Sequence, residues 1–396
     1  MKLPDGWKID YLDSVTKRGS GHTPNQRYSE YWNGGIKWVS LADSSRLDRR
    51  SIAFTAKEIS EDGLKNSSAV LHPQGTVLMS RDAGVGKSSI MGCDMAVSQH
   101  FITWECKSKN IIDNLFLYYW LQAEKGYFER QAVGSTIKTI GLPLFKKLKL
   151  SYPPLPEQKA IADLLSTWDE AIDKTERLIQ AKQELFEGNT QKLIDQRCTE
   201  WTHVKPKNMF AIITEKNFPD EELLSVTQDQ GVIPRNMREG RVMSPDGTTA
   251  NYKLIKSGDF AISLRSFQGG IEYSRYQGII SPAYTVLRPK IEIDTEFYRI
   301  FLKTYIFIEK YLNLAVIGIR DGKQISIPDF LSIKIPLPSL EEQKQIAETL
   351  SSAQHEIDLL KQLAEKYKTQ KRGLMQKMLT GEWRVKEEMI KQYCEA

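Results

Sequence analysis

The run Gly84-Val85-Gly86-Lys87-Ser88 has the residue types that close a phosphate-binding loop: glycines for close backbone approach, a lysine and a hydroxyl. Such a loop needs a further glycine five residues before Gly86, and Arg81 stands there. The segment opens no clear long helix either, so nucleotide binding is not expected. Tyr152-Pro153-Pro154-Leu155 partly matches the Asn-Pro-Pro-Tyr loop of amino-methyltransferases, but it lacks the amide that would grip a base. A glycine-rich adenosylmethionine loop is missing as well. Pro219-Asp220 could begin a nuclease motif, yet no Asp/Glu-x-Lys follows at a suitable distance. Cys93, Cys106, Cys198 and Cys394 are scattered, as are the five histidines, so the clustered ligands of a zinc site are lacking. No serine, cysteine or histidine arrangement suggests a nucleophile with its base. The sequence therefore points away from catalysis, and its net charge of +5 permits a polyanionic partner without demanding one.

The elements that must position these residues come in two copies. Pro156-Glu-Gln-Lys-Ala-Ile-Ala-Asp-Leu-Leu-Ser166 returns as Glu341-Glu-Gln-Lys-Gln-Ile-Ala-Glu-Thr-Leu-Ser351 at an offset of 185 residues. The same offset pairs Ile140 with Ile325, Phe145 with Phe330, Asp173 with Asp358 and Gly188 with Gly373. Each block starts behind prolines (Pro153, Pro154 and Pro156; Pro336 and Pro338) and runs on as a heptad pattern. In the first copy the seam is Ile161, Leu165, Trp168, Ile172, Thr175, Ile179, Lys182, Phe186, Asn189 and Leu193. In the second it is Ile346, Leu350, Ala353, Ile357, Leu360, Ala364, Tyr367, Lys371, Leu374 and Met378. Two coiled-coil-like helices, each near 60 Å at 1.5 Å per residue, are expected to pair antiparallel. The alternative is a pair of independent dimerisation arms. Leu164, Ala171, Leu178 and Leu185 form a second stripe on the first helix, which calls for a further neighbour.

A chain of 396 residues exceeds one hydrophobic core. Alternating runs such as Gly75–Ser80 and Asp259–Leu264 read as strands, and Asn110–Glu129 and Thr295–Leu314 read as helices. The expected fold is α/β (α+β): two globular modules separated by the antiparallel helix pair, with pseudo-two-fold symmetry. Its segments are residues 1–155, a spacer helix over 156–198, a second module over 199–338, a second helix over 339–385, and a tail over 386–396. No apolar run reaches the ~18–20 residues that span a bilayer. The start, Met-Lys-Leu-Pro-Asp-Gly-Trp, lacks the apolar core of a signal peptide, so a cytoplasmic protein is expected.

Two mixed modules, each followed by Pro-x-x-(Glu)-Gln-Lys-x-Ile-Ala-x-x-Leu-Ser and a long helix, resemble the specificity subunit of a Type I restriction–modification system. Leu3–Trp7, Gly21-His-Thr-Pro24, Trp38-Val-Ser40, Ser80–Lys87, Gly134–Lys138 and Leu379-Thr-Gly381 are similar to stretches of that family. The resemblance covers essentially the whole chain and implies a non-catalytic DNA-recognition subunit. Each module would read one half of a split, asymmetric double-stranded site. The helices would set the spacing and dock two modification (methyltransferase) subunits. S-adenosylmethionine, ATP and Mg2+ would belong to the modification and motor-nuclease partners, not to this chain. Two rivals are a free-standing two-domain DNA-binding regulator and a fused methyltransferase–specificity enzyme; for the latter there is neither a cofactor loop nor room for a catalytic domain.

Lys and Arg hold phosphates, whereas Arg, Lys, Asn, Gln, Ser and Thr read base edges. The expected DNA contacts of the first module are Arg81, Lys87 and Ser88 in one loop, and Ser135, Thr136 and Lys138 in another. In the second they are Arg265, Ser266 and Gln268, then Arg320, Lys323 and Gln324. Trp38, Trp104 and Trp120 read as core residues. Leu164, Leu178 and Leu185 are the expected contacts for a modification subunit.

Overall fold

The heptad pattern folds as two helices, Leu155–Thr190 and Leu340–Leu379, the first prolonged by a π-helical turn over Gln191–Asp195. At 1.5 Å per residue they are about 54 and 60 Å long. In the computed structural model, residues 3–238, 249–263, 269–318 and 324–394 are described. The chain divides into two units, Met1–Glu176 with Leu363–Ala396, and Arg177–Gln362. Each unit therefore holds a module and a stretch of both helices. The predicted seam is borne out residue by residue: between 168 and 189, Trp168, Ile172, Thr175, Ile179, Lys182, Phe186 and Asn189 are all half-buried, while most of their neighbours are exposed.

In the first unit the helices run antiparallel. Trp168 meets the Tyr367 ring edge-on at 5.8 Å, Asp169 takes Lys371, and Glu176 lies 2.9 Å from Lys368. The module is built on two sheets. One is ordered Lys17–Ser20, Phe101–Glu105, Val77–Ser80, Ser88–Met91, Ser51–Ile52, and the other Lys57–Ile59, Trp32–Val39, Met95–Val97, Leu71–His72. Trp104, Phe116, Tyr119, Phe128 and Phe145 fill its main core together with Ile161 and Leu165 of the first helix and Met378 of the second. Trp38, Trp104 and Trp120 are all buried, as expected. Both ends of the chain meet here. Gly381 adopts a left-handed φ of 72°, and a Cβ there would lie 2.5 Å from Pro4 and 3.1 Å from the Trp7 ring.

In the second unit the helices are again antiparallel, with Lys182 held by Glu356 and Arg197 by Glu342. An antiparallel sheet ordered Phe210–Ile213, Tyr284–Pro289, Phe260–Ser263, Glu272–Tyr273 carries the module. Phe260, Phe297, Phe301, Phe307 and Phe330 form its core with Ile346 and Leu350. The helix expected over Thr295–Leu314 instead stops at Phe301 and restarts. Thr304 causes the break: its hydroxyl donates to the Phe301 carbonyl at 2.8 Å and accepts the Phe307 N–H at 3.1 Å, a local alternative to the helical ladder.

The repeated glutamine fastens helix to module in the same way in both units. Gln158 is fully buried; its Oε1 accepts the backbone N–H of Asp113 at 2.9 Å and its Nε2 donates to the Pro153 carbonyl at 2.8 Å. Gln343 repeats this with Asp294 (2.8 Å) and Pro338 (2.9 Å). Asp113 and Asp294 are themselves the N-caps of Asn114–Ala123 and Thr295–Phe301. One side chain thus joins the proline turn that launches the long helix to the cap of a module helix. The preceding glutamates are also equivalent. Glu157 forms a two-pronged pair with Arg384 at 2.5 and 2.6 Å, and Glu342 binds Arg197.

Candidate nucleic-acid interface

In the first module, strands Val77–Ser80 and Ser88–Met91 pair antiparallel, and the segment between them must turn tightly. Ala83, Gly84 and Gly86 take left-handed backbones (φ 41°, 112° and 82°), and the Gly86 N–H closes the turn onto the Ser80 carbonyl at 3.0 Å. Without a side chain, Gly86 lies against Lys125, whose Cγ is 3.0 Å from where a Cβ would be. A second loop, from Val133 to Thr139, folds back through paired backbone hydrogen bonds of 3.0 and 2.9 Å. Thr139 also bridges to Asp82, which ties the two loops together. Ser135, Thr136 and Lys138 are exposed on it.

The structure brings Lys87 and Lys138 from the two predicted loops into one cavity of about 330 Å³, lined also by Gly84, Val85, Lys125 and Glu129. Lys87 is steadied by the Ser44 carbonyl at 3.1 Å, and Lys125 is paired with Asp48. Arg81 is mostly covered, with its Nε 3.6 Å from Asp82. Ser88 is corrected by the structure: it is fully buried and its hydroxyl accepts the Gln122 amide at 2.8 Å, so it braces the strand and cannot meet a duplex. The strand Ser88–Met91 is covered on both faces, since Ser88 and its neighbour Ser89 are both fully buried, and the loop motif gave no sign of that.

Lys125 was missed because it lies on a separate helix, Lys125–Gln131, with no motif around it. Asp82 and His100 were missed too. The Asp82 carboxylate is buried and stands 2.6 Å from Nδ1 of the part-exposed His100 imidazole. Asp82 thereby joins three loops: its own, the Val97–Phe101 turn and the Val133–Thr139 hairpin.

For the second module, Arg265, Ser266, Gln268, Arg320 and Lys323 lie outside the described residues. Gln324 is described, exposed, and pairs with Ile317 in the short ladder Val316–Ile317/Gln324–Ile325. The 185-residue offset equates it with Thr139, so each module has a short antiparallel pairing ahead of its long helix. Of the helix-face residues, Leu164 is half-buried against the core of its own unit, whereas Leu178 and Leu185 are 44% and 57% exposed. Leu363, the repeat equivalent of Leu178, is also exposed. Among the described residues no helix is long and apolar enough to cross a membrane, and no cluster of three His, Cys, Asp or Glu could hold a metal ion.

Comparison with known proteins adds three findings. A family model described as the Type I restriction modification DNA specificity domain matches twice, over residues 4–183 and 199–368. The Type I restriction enzyme MjaVIII specificity subunit of Methanocaldococcus jannaschii is 27% identical, over 98% of this chain and 95% of that one. The fold is similar to the crystal structure of a Type I restriction–modification S subunit from M. genitalium, with a TM-score of 0.59 at 18% identity, covering 96% of this chain and 98% of the other.

Proposed function

The chain belongs to the Type I restriction modification DNA specificity family, and on that premise we propose that it is the DNA sequence-specificity subunit of a Type I complex. It supplies recognition and no catalysis, and it works with DNA and with the other subunits of such a system. Each module reads one half of a bipartite, asymmetric site, and the helices set the distance between the halves. Adenine methylation or cleavage is carried out by partners, which bring S-adenosylmethionine and ATP with Mg2+.

One observation carries this reading. The buried-glutamine joint is the same in both units, while the modules it holds differ around a four-strand core of the same order: the first adds the strand Ser51–Ile52 and a separate four-stranded sheet, where the described part of the second has two-stranded ladders. A scaffold kept alike offers two equivalent seats to identical partners, and modules that differ read different sequences. Two modification subunits per chain follow, with Leu178 and Leu185 in their contact surface.

The test is to express the chain with the modification subunit of its own system and to map N6-methyladenine across the host genome by single-molecule sequencing. A split motif with one methylated adenine in each half is expected; an unsplit or palindromic motif overturns the reading. Leu178→Asp is expected to reduce the number of modification subunits retained, measured by native mass spectrometry. Unchanged stoichiometry removes this leucine from the partner surface.

A further inference from the structure

A second polar surface of the first module lies apart from the lysine cavity. An open groove of about 700 Å³ is lined by His22, Thr23, Asn25 and the turn Lys65-Asn66-Ser67-Ser68. Every lining residue is polar, and His22, Asn25, Lys65, Asn66 and Ser68 are exposed. These are the side-chain types that read base edges. Their local hydrogen bonds leave a defined remainder. The Asn25 Oδ1 accepts the Arg27 N–H at 3.0 Å, so its Nδ2 hydrogens face outward as donors. The Asn66 Nδ2 donates to the Asp62 carbonyl at 2.9 Å, which leaves its Oδ1 as an acceptor.

The groove is built on a rigid floor. Buried Trp38 donates from its indole N–H to the His22 carbonyl at 3.1 Å and meets Trp32 edge-on at 5.2 Å. Leu64 and Ala69, which bracket the Lys65–Ser68 turn, pack on the same small core with Trp38 and Ile59. The groove is also joined to the first interface. Thr23 donates to Gln99 at 2.6 Å, and the next residue, His100, is the one held by Asp82 between the two predicted loops.

We propose that this groove is the base-reading part of the first module, and that the Lys87–Lys125–Lys138 cavity holds the DNA backbone beside it. The division follows from chemistry: lysines around a cavity suit a phosphate, whereas a donor amide and an acceptor amide lining one groove suit the edges of a base pair. The inference rests on the function proposed above and names the residues through which that function discriminates.

The experiment selects bound sequences from a randomised duplex library with the purified complex of this chain and its modification subunit. Four chains are compared: unaltered, N25A/N66A, K65A/S68A and K138A. Both groove variants are expected to relax one or more positions of a single half-motif, with discrimination falling roughly 5- to 150-fold there, while the other half stays intact. K138A is expected to keep the whole motif, weaken binding to all sequences alike, and flatten the slope of log affinity against log salt by about 0.9. The intact second half-motif reports that a variant has folded and assembled. If both groove variants select the unaltered motif with unaltered preference, the groove does not read bases and the inference falls. If the unaltered chain selects no split motif, the functional reading itself falls, and the inference with it.

Discussion

Gln158 and Gln343 each accept a part-buried backbone N–H and donate to a buried carbonyl. Removing either takes the side-chain partner from both groups. Gln158→Ala or Gln343→Ala is expected to destabilise its own unit by about 1–3 kcal/mol, seen in urea unfolding as an earlier transition for that unit alone. The sequence displayed these glutamines as the centre of a repeat, but not their role, because Asp113 and Asp294 lie far upstream and carry no recognisable motif. His72 gives a second test at this scale. Burial pushes its pKa below the ordinary 6.5, against a weaker opposing effect from the Ser20 carbonyl at 3.2 Å. The folded form therefore resists protonation that the unfolded chain accepts. Stability contributed by neutral His72 is complete above pH 6.5 and is lost as pH falls through the lower folded value. His72→Gln is expected to flatten that decline in a pH series of melting temperatures; an unaltered pH profile would remove His72 as its source.

Among the elements, the long helices were the most legible, because a heptad repeat states which face is covered whatever covers it. The seam positions Ile161, Leu165, Ile357 and Ala364 are buried, and the antiparallel sense emerges from pairs such as Lys182 with Glu356. Module helices were harder to bound. Thr304 interrupts a run with the right composition by bonding to its neighbours' backbone, and composition alone does not reveal that choice. At the loops, residue type identified Lys87 and Lys138, whose shared cavity confirms their proximity, yet misread Ser88. Type says what a side chain can bind, but not that both faces of its strand are covered, as they are at Ser88 and Ser89. For the helix pair, a double-mutant cycle on Trp168→Ala and Tyr367→Ala is expected to give a coupling of about 0.5–1.5 kcal/mol from the edge-on ring contact. Additive losses would mean that the two rings are not partners in solution.

At the scale of the molecule, the two units are assembled differently from the chain. The second is one continuous stretch, Arg177–Gln362, whereas the first combines Met1–Glu176 with Leu363–Ala396. Within the first, Glu157 is almost completely covered, and its charge is answered by Arg384. Arg384→Ala is expected to cost the first unit up to about 3 kcal/mol, the low end for a broken buried pair because the guanidinium is itself 41% exposed. The second unit's unfolding should not move. No local pattern announced this pair, since its members stand 227 residues apart and only the finished fold brings them together.

That separation sets a clock during synthesis. A ribosome adding about 5–20 residues per second needs roughly 11–45 s to travel from Glu157 to Arg384. For that interval the module made first lacks the cation for its buried carboxylate, the Met378 and Leu379 side chains of its core, and the Gly381 turn that receives Pro4 and Trp7. The middle of the chain has all its parts before the beginning does. The first module to emerge is therefore the last to be completed, and a nascent chain stalled before residue 384 presents one finished unit and one still waiting for its closing segment.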